Sequence, residues 1–344
     1  MSGGVHSPGF RRVRRCVPKG VCGIVLSLAV AACGGAGEGV SATASGSSES
    51  AKGVSSTPTP TPTSSPGLTS ASEANALMAD YDVRNNAAIA KADLFDTSGW
   101  DKADAGLALA ADVMGTKLAQ AQNEAPTGDV VTHSDSMAYA PNVAGSPHWV
   151  VVAAQRNGKP SVYGFVRDGA AGPWRQESYV ITTAAPPAPA EPGAASTPNP
   201  EQIKAAEKAA AEVARTVSAG GNGAVALAGE AATMVKRLDS DRSGLGADSL
   251  AISVHPEPSQ APRVVIAQDG SVLALTSHRV TATFKAKSGS SLSHGPDFAQ
   301  VLGEPGDRQE LVYDFALFSL LQIDSAGATT MLGSSGGNLM PSGR

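Results

Sequence analysis

"HWVVVAAQRNGKPSVYGFV", residues 148–166, holds two apolar runs, "HWVVVAA" (148–154) and "SVYGFV" (161–166), on either side of Arg156-Asn157-Gly158-Lys159. Asn-Gly between apolar runs is the strongest short-range hairpin signal, because the tight turn that matches strand twist needs positive φ at both central residues. Working outward, "SMAYA" (136–140) alternates upstream, and a Gly/Pro turn at 169–173 leads to "WRQESYVIT" (174–182). These four segments predict an antiparallel meander. Before it, Ser70-Ala71-Ser72-Glu73 has capping-box spacing. Ala74, Leu77, Met78, Tyr81, Ala88, Ile89 and Ala92 then recur at helical spacing. A second helix is predicted from Trp100 to Gln120, with Leu107, Ala110, Ala111, Met114 and Leu118 on one face.

The pattern returns after "AAPPAPAEPGAASTPN" (184–199), which has a linker's composition. Asn199 fits an N-cap, with Pro200 at the first helical position and Gln202 at the third. The helix "EQIKAAEKAAAEVARTV" (201–217) presents Ile203, Ala206, Ala210, Val213 and Val217 on one face, and Gly220-Gly221 stops it. A shorter helical piece is predicted from Val225 to Leu238. Strands follow at "SLAISVH" (249–255), "RVVIAQ" (263–268), "SVLALTSHRVTATFKA" (271–286) and "QELVYDFALFSLLQI" (309–323), with Asp269-Gly270 as a second hairpin turn. "SPHWVVVAAQRNGK" (146–159) echoes "APRVVIAQDGS" (261–271), and "RQESY" (175–179) echoes "RQELVY" (308–313). The expected class is α+β: two helix-then-antiparallel-meander domains, at 70–183 and 200–337, echoing each other as a duplication would. The linker is 184–199 and residues 338–344 form a tail.

The chain has 344 residues, 42% apolar, 4% aromatic and 17% charged, so its cores rest on Val, Ala, Leu and Ile. Five of the 26 basic residues (Arg11, Arg12, Arg14, Arg15, Lys19) and none of the 31 acidic residues precede Cys33. The remainder carries 21 basic against 31 acidic residues, a net charge of −10. That balance argues against nucleic acid, whose binding depends on phosphate neutralisation. The basic cluster opens a definite order. Gly20 to Ala32 is an apolar run too short to span a bilayer, which needs about 20 residues, and it ends Val30-Ala31-Ala32-Cys33-Gly34. It reads as an export signal over residues 1–32. Small residues before a cysteine resemble the bacterial lipobox, although Val30 stands where Leu is commoner. By that resemblance Cys33 is acylated, and two chains anchor stably where one does not. The expected address is the outer face of the cytoplasmic membrane. Cys16, Cys22 and Cys33 are the only cysteines, so a processed chain keeps one, and it carries lipid. Residues 33–69, Gly/Ser-rich and then Thr-Pro alternating, read as a disordered tether.

Candidate chemistry is sparse. "GSSGG" (333–337) fits G-x-S-x-G around Ser335, but no Asp, Glu or His follows it, so a polar terminal turn is the better reading. "GNGAVA" (221–226) follows a helix, where a dinucleotide site needs a strand. "DSDRSG" (239–244) reproduces the opening of a calcium loop through Asp239, Asp241, Ser243 and Gly244. The twelfth position is Leu250, where a bidentate Glu is needed; Asp248 is the substitute. The alternative is a solvated acidic turn. His133, His148, His255, His278 and His294 lack metal-site spacing, so a zinc site would have to be assembled by the fold. Arg175-Gln176-Glu177 and Arg308-Gln309-Glu310 read as polar residues of strand faces, with a pocket role as the alternative.

The lipobox, "YDVRNNAAIAKAD" (81–93), "PHWVVVAA" (147–154), "PWRQESYVIT" (173–182) and the closing "RQELVYDFALFSLLQI" with "ATTMLGSSGG" resemble an actinobacterial lipoprotein family of unknown function. The helix-then-meander order is similar to the nuclear-transport-factor-2-like fold, which implies a curved sheet wrapping a helix and able to enclose a pocket. No functional residue carries over. The reading is a non-catalytic lipoprotein without cofactor, held to the membrane by its lipid and binding a partner protein or a small apolar ligand. The alternatives are a hydrolase of envelope polymers with a fold-assembled site, and a structural interaction module without ligand.

Overall fold

A computed structural model describes residues 71–126, 129–139, 148–169, 172–191, 197–258 and 260–341. Residues 1–70 lie outside it, and with them the export signal, Cys33, the tether and the first residue of the capping box. The class is α+β, with helices packed on antiparallel sheets.

The first half runs α1 (Ala71–Ala92), α2 (Trp100–Ala103), α3 (Gly106–Gln122), then β1 (His133–Tyr139), β2 (His148–Arg156), β3 (Lys159–Arg167) and β4 (Arg175–Ile181). The strands form an antiparallel sheet in chain order. Asn157 and Gly158 turn between β2 and β3 with φ of 46° and 76°, as the dipeptide requires. The helix predicted over 100–120 is broken. Asp104 and Ala105 are extended, Asp104 bridges to Gln176, and the Ala105 N–H donates to the Gln176 carbonyl at 2.8 Å. Pairing with β4 overrides helix propensity there.

The second half contains α4 (Pro200–Ser218), α5 (Glu230–Leu245), β5 (Ser249–Pro256), β6 (Arg263–Ile266), β7 (Val272–Lys285), β8 (Leu292–Ser293), α6 (Pro296–Leu302), β9 (Asp307–Arg308), β10 (Glu310–Ile323) and β11 (Thr329–Leu339). The capping box of α4 forms as predicted, with Asn199 and Gln202 each accepting the other's backbone N–H. Strand order is β11-β10-β7-β5, and β6 lies end to end with β5 along the same edge of β7. Two expectations are corrected. The segment 239–244 is not a loop but the last turns of α5, which starts and ends later than predicted. "GSSGG" is not a turn but the middle of β11. It carries glycine because neighbours crowd it: a Cβ on Gly333 would lie 2.4 Å from the Ile181 carbonyl, where β4 meets β11.

The sheet of the first half is buried on both faces. On one face, Phe165 of β3 meets Tyr81 of α1 edge-on at 5.2 Å. On the other, the missing Cβ of Gly164 would stand 3.0 Å from Leu275 of β7. One core therefore joins Val162 and Val180 to Leu273, Leu275, Ala316 and Phe318 of the second half. A second core lies between α4, α5 and the far face of the second sheet, around Val213, Met234, Leu238, Val280 and Phe284. The described part of segment 184–199 follows β6. The Ala190 N–H donates to Ile266 and the Gln268 N–H to Ala188, at 3.1 and 2.8 Å.

Between the sheets, Arg263 of β6 grips Glu177 of β4 with both arms, Nε–Oε1 at 2.5 Å and Nη2–Oε2 at 2.9 Å. Its guanidinium also lies over Trp149, 5.3 Å from the ring centroid. The two side chains are only 12% and 5% exposed. Removing one member of such a pair strands a buried charge and costs about 3–5 kcal/mol, whereas apolar replacement of both is tolerated. Glu177→Ala is thus expected to lower the denaturation midpoint severely. Glu177→Leu with Arg263→Met should recover most of the loss, as chemical denaturation will show.

Candidate functional site

The helix-facing side of the first sheet carries a polar cluster set among aromatic rings. Tyr163 and Tyr179, directly opposite on β3 and β4, stack at 6.3 Å. Arg156, at the end of β2, lies over the Tyr179 ring at 5.5 Å. Tyr81 donates its hydroxyl to Gln176 at 2.6 Å. Gln176, read from sequence as a strand-face residue, is buried on β4 and completes this contact.

Two carboxyls close the cluster. Asp104, in the break between α2 and α3, has no solvent exposure. Neither of its oxygens has a partner at hydrogen-bond geometry among the described residues. Burial first, and then the neighbouring charge of Asp112, push its pKa far above the usual carboxylate range. Asp112, on α3, is pushed up to about 7 by burial, against the pull of Asp104 and Arg156. Burial likewise raises the Tyr81 phenol well above its ordinary value and the Tyr163 phenol to about 12. At neutral pH Asp104 is therefore a neutral acid, able to donate or accept, beside a carboxyl that ionises near neutrality.

A relay of side chains backs the cluster. Asp82 of α1 accepts the backbone N–H of His133 at 3.0 Å and lies 2.5 Å from its Nδ1. With the Nδ1 proton directed at Asp82, Nε2 accepts the Tyr163 hydroxyl at 2.6 Å. The His133 side chain is fully buried. The rings pack on one another and are buried, with a few polar groups converging among them.

The residues singled out from sequence fall elsewhere. Asp239, Asp241 and Ser243 lie on α5, where a helical repeat of about 100° per residue turns i, i+2 and i+4 apart. Asp239 instead holds Arg242 at 3.1 Å, and Asp248 follows the helix. No group of three or more His, Cys, Asp or Glu is placed to hold a metal among the described residues. Of the histidines, His255 is exposed on β5, and His278 is buried on β7, where burial lowers its pKa to about 4. His294 lies 3.0 Å from the Tyr313 hydroxyl. The side chain of His148 lies outside the described residues. The Ser335 hydroxyl accepts the Ile181 N–H at 3.2 Å and serves the β4–β11 junction.

No protein family model matches this chain, and no curated protein matches it. The crystal structure of the intermembrane space region of chloroplast protein ARC6 is similar over 40% of this chain and 97% of that chain, at 10% identity and a TM-score of 0.24. A score that low bears on neither fold nor function. Among the described residues no helix is long and apolar enough to cross a membrane.

Asp104 also predicts a pH dependence. The folded chain holds a proton there that the unfolded chain releases near pH 3.9. The stability this proton supplies is full below that value and falls as pH rises toward the folded-state value. Melting temperature should decline from pH 6.5 to 8.5, by at most about 1.4 kcal/mol of stability per pH unit for one proton. Asp104→Asn should flatten the slope, as scanning calorimetry across that range will show.

Proposed function

We propose that the protein is a non-catalytic, lipid-anchored extracytoplasmic lipoprotein that binds a small, largely apolar ligand beneath its first sheet. The observation that carries the reading is Asp104, a fully buried carboxyl whose oxygens make no hydrogen bond of good geometry, set beside Tyr81 and Asp112. An unsatisfied buried polar group costs about 1–3 kcal/mol. A ligand with a flat apolar body and one polar group repays that cost, its polar group on Asp104 and its body against the rings. The address rests on the sequence order of basic cluster, apolar run and Cys33, which is also where the likeness to actinobacterial lipoproteins begins.

A second reading is a hydrolase of envelope polymers. What favours it is the Asp104–Asp112 pair, whose members ionise at different pH, with Tyr81 between it and a histidine oriented by Asp82. A protein partner for the folded region is the third.

Native mass spectrometry of the full chain purified from its own membranes should show a small molecule bound. Asp104→Leu, which fills the site with apolar bulk, should lose that molecule while still melting cooperatively. A ligand-free wild-type chain, or hydrolysis of cell-wall polymer that Asp112→Asn abolishes, would turn the reading toward the alternatives. For the anchor, Cys33→Ser should release the protein from the membrane fraction into the medium.

A further inference from the structure

Asn-Gly occurs twice in the chain, at 157–158 and 222–223. The dipeptide is chemically unstable. The glycine nitrogen attacks the asparagine Cγ, the side-chain amide C–N bond breaks, and ammonia leaves as a five-membered imide closes. Water then opens the imide at either carbonyl, giving aspartate or isoaspartate. The net change is amide plus water to carboxyl plus ammonia, and no other reactant is needed. Glycine favours the step because no Cβ shields its nitrogen. In the unfolded chain both pairs meet the same chemistry. In the fold, the rate depends on how freely each Asn side chain swings onto the next nitrogen.

Asn157 is clasped. Its Oδ1 accepts the Thr132 N–H at 2.9 Å and the Thr132 hydroxyl at 3.2 Å, and its Nδ2 donates to the Val130 carbonyl at 3.3 Å. Its backbone N–H donates to the Thr132 carbonyl at 3.0 Å. Segment 130–132 is itself pinned to α1, because Asn86 and Val131 exchange two hydrogen bonds of 2.8 Å. The imide closes at Asn157 only after this clasp opens. Asn222 differs. It lies in the run 218–224, every residue of which is exposed. Its side chain makes one hydrogen bond among the described residues, from Nδ2 to the carbonyl of Ala219 at 3.2 Å.

We infer that Asn222 is a deamidation site of the folded protein, while the contacts of Asn157 protect the other pair. The consequence falls on the end of α4, whose C-cap is Ala219. A carboxylate at 222 has no proton to donate to Ala219, and it places negative charge at the negative end of the helix dipole. Isoaspartate also adds one methylene to the backbone just before Gly223, where a Cβ would lie 2.0 Å from Thr216 Oγ1. Val225, two residues further on, is buried in the second core. With the chain held on that side, the extra length loosens the last turn of α4.

The test holds the full chain in warm, mildly alkaline buffer, with and without concentrated guanidinium chloride. Tryptic peptides 157–167 and 216–236, each with a single asparagine, are followed by mass spectrometry. In denaturant the two should gain mass at similar rates. In the folded chain 216–236 should gain it faster by about tenfold or more, because reaction at Asn157 waits on local opening. Asn86→Ala, which frees segment 130–132, should speed reaction at Asn157 and leave Asn222 unchanged. Asn222→Asp should melt at a lower temperature than the parent chain; an unchanged melt overturns the effect on α4. Similar rates at the two sites in the folded chain, or an unreacted Asn222 over the time in which the denatured chain is modified, overturns the site itself.

Discussion

A four-stranded sheet covered on both faces has no solvent side on which to place polar residues, and this constraint shapes the rest of the molecule. The polar side chains buried in the middle of β4, Gln176 and Glu177, find their partners in the layers above and below. Glu177 finds Arg263 across the sheets, and that bidentate contact fixes how β4 and β6 lie against each other. Gln176, its neighbour in sequence, turns the opposite way and bonds Tyr81 of the helix layer. Alternation along the strand lets adjacent residues serve two interfaces in this way.

The same constraint gives Asp104 its chemical interest. Its position follows from backbone pairing: the chain leaves α2, bridges to β4 at Gln176 and re-enters a helix at Gly106. The side chain is left inside the core, where ionisation is opposed by burial and by Asp112. Aromatic walls, one neutral acid and a guanidinium produce a place that is apolar in bulk and polar at a point. The His133 relay adds rigidity, since its ring is fixed at both nitrogens.

What was legible in the sequence was local. The Asn157-Gly158 turn, the Asn199 cap and the apolar runs each announce themselves within a few residues, and all formed where expected. β11 was not legible, because its buried middle is glycine and serine, chosen for close approach and not for apolarity. The helix break at Asp104 was hidden for a different reason: its cause is a strand about 70 residues away. The candidate site was illegible throughout. Tyr81 and Gln176 are 95 residues apart, and His133 reaches Asp82 across 51. No spacing rule spans such distances. The "RQE" segment (175–177) drew notice from sequence, but only the fold divides it between an ion pair and the tyrosine cluster.

The central claim is that the two halves share one core and fold as one unit. Denaturant unfolding followed by two signals tests it most directly. Trp100, Trp149 and Trp174 all lie in the first half, so tryptophan fluorescence follows that half alone, while far-ultraviolet circular dichroism follows both. Coincident transitions are predicted. A fluorescence transition clearly displaced from the dichroism transition would mean that the halves unfold independently, and would contradict the account.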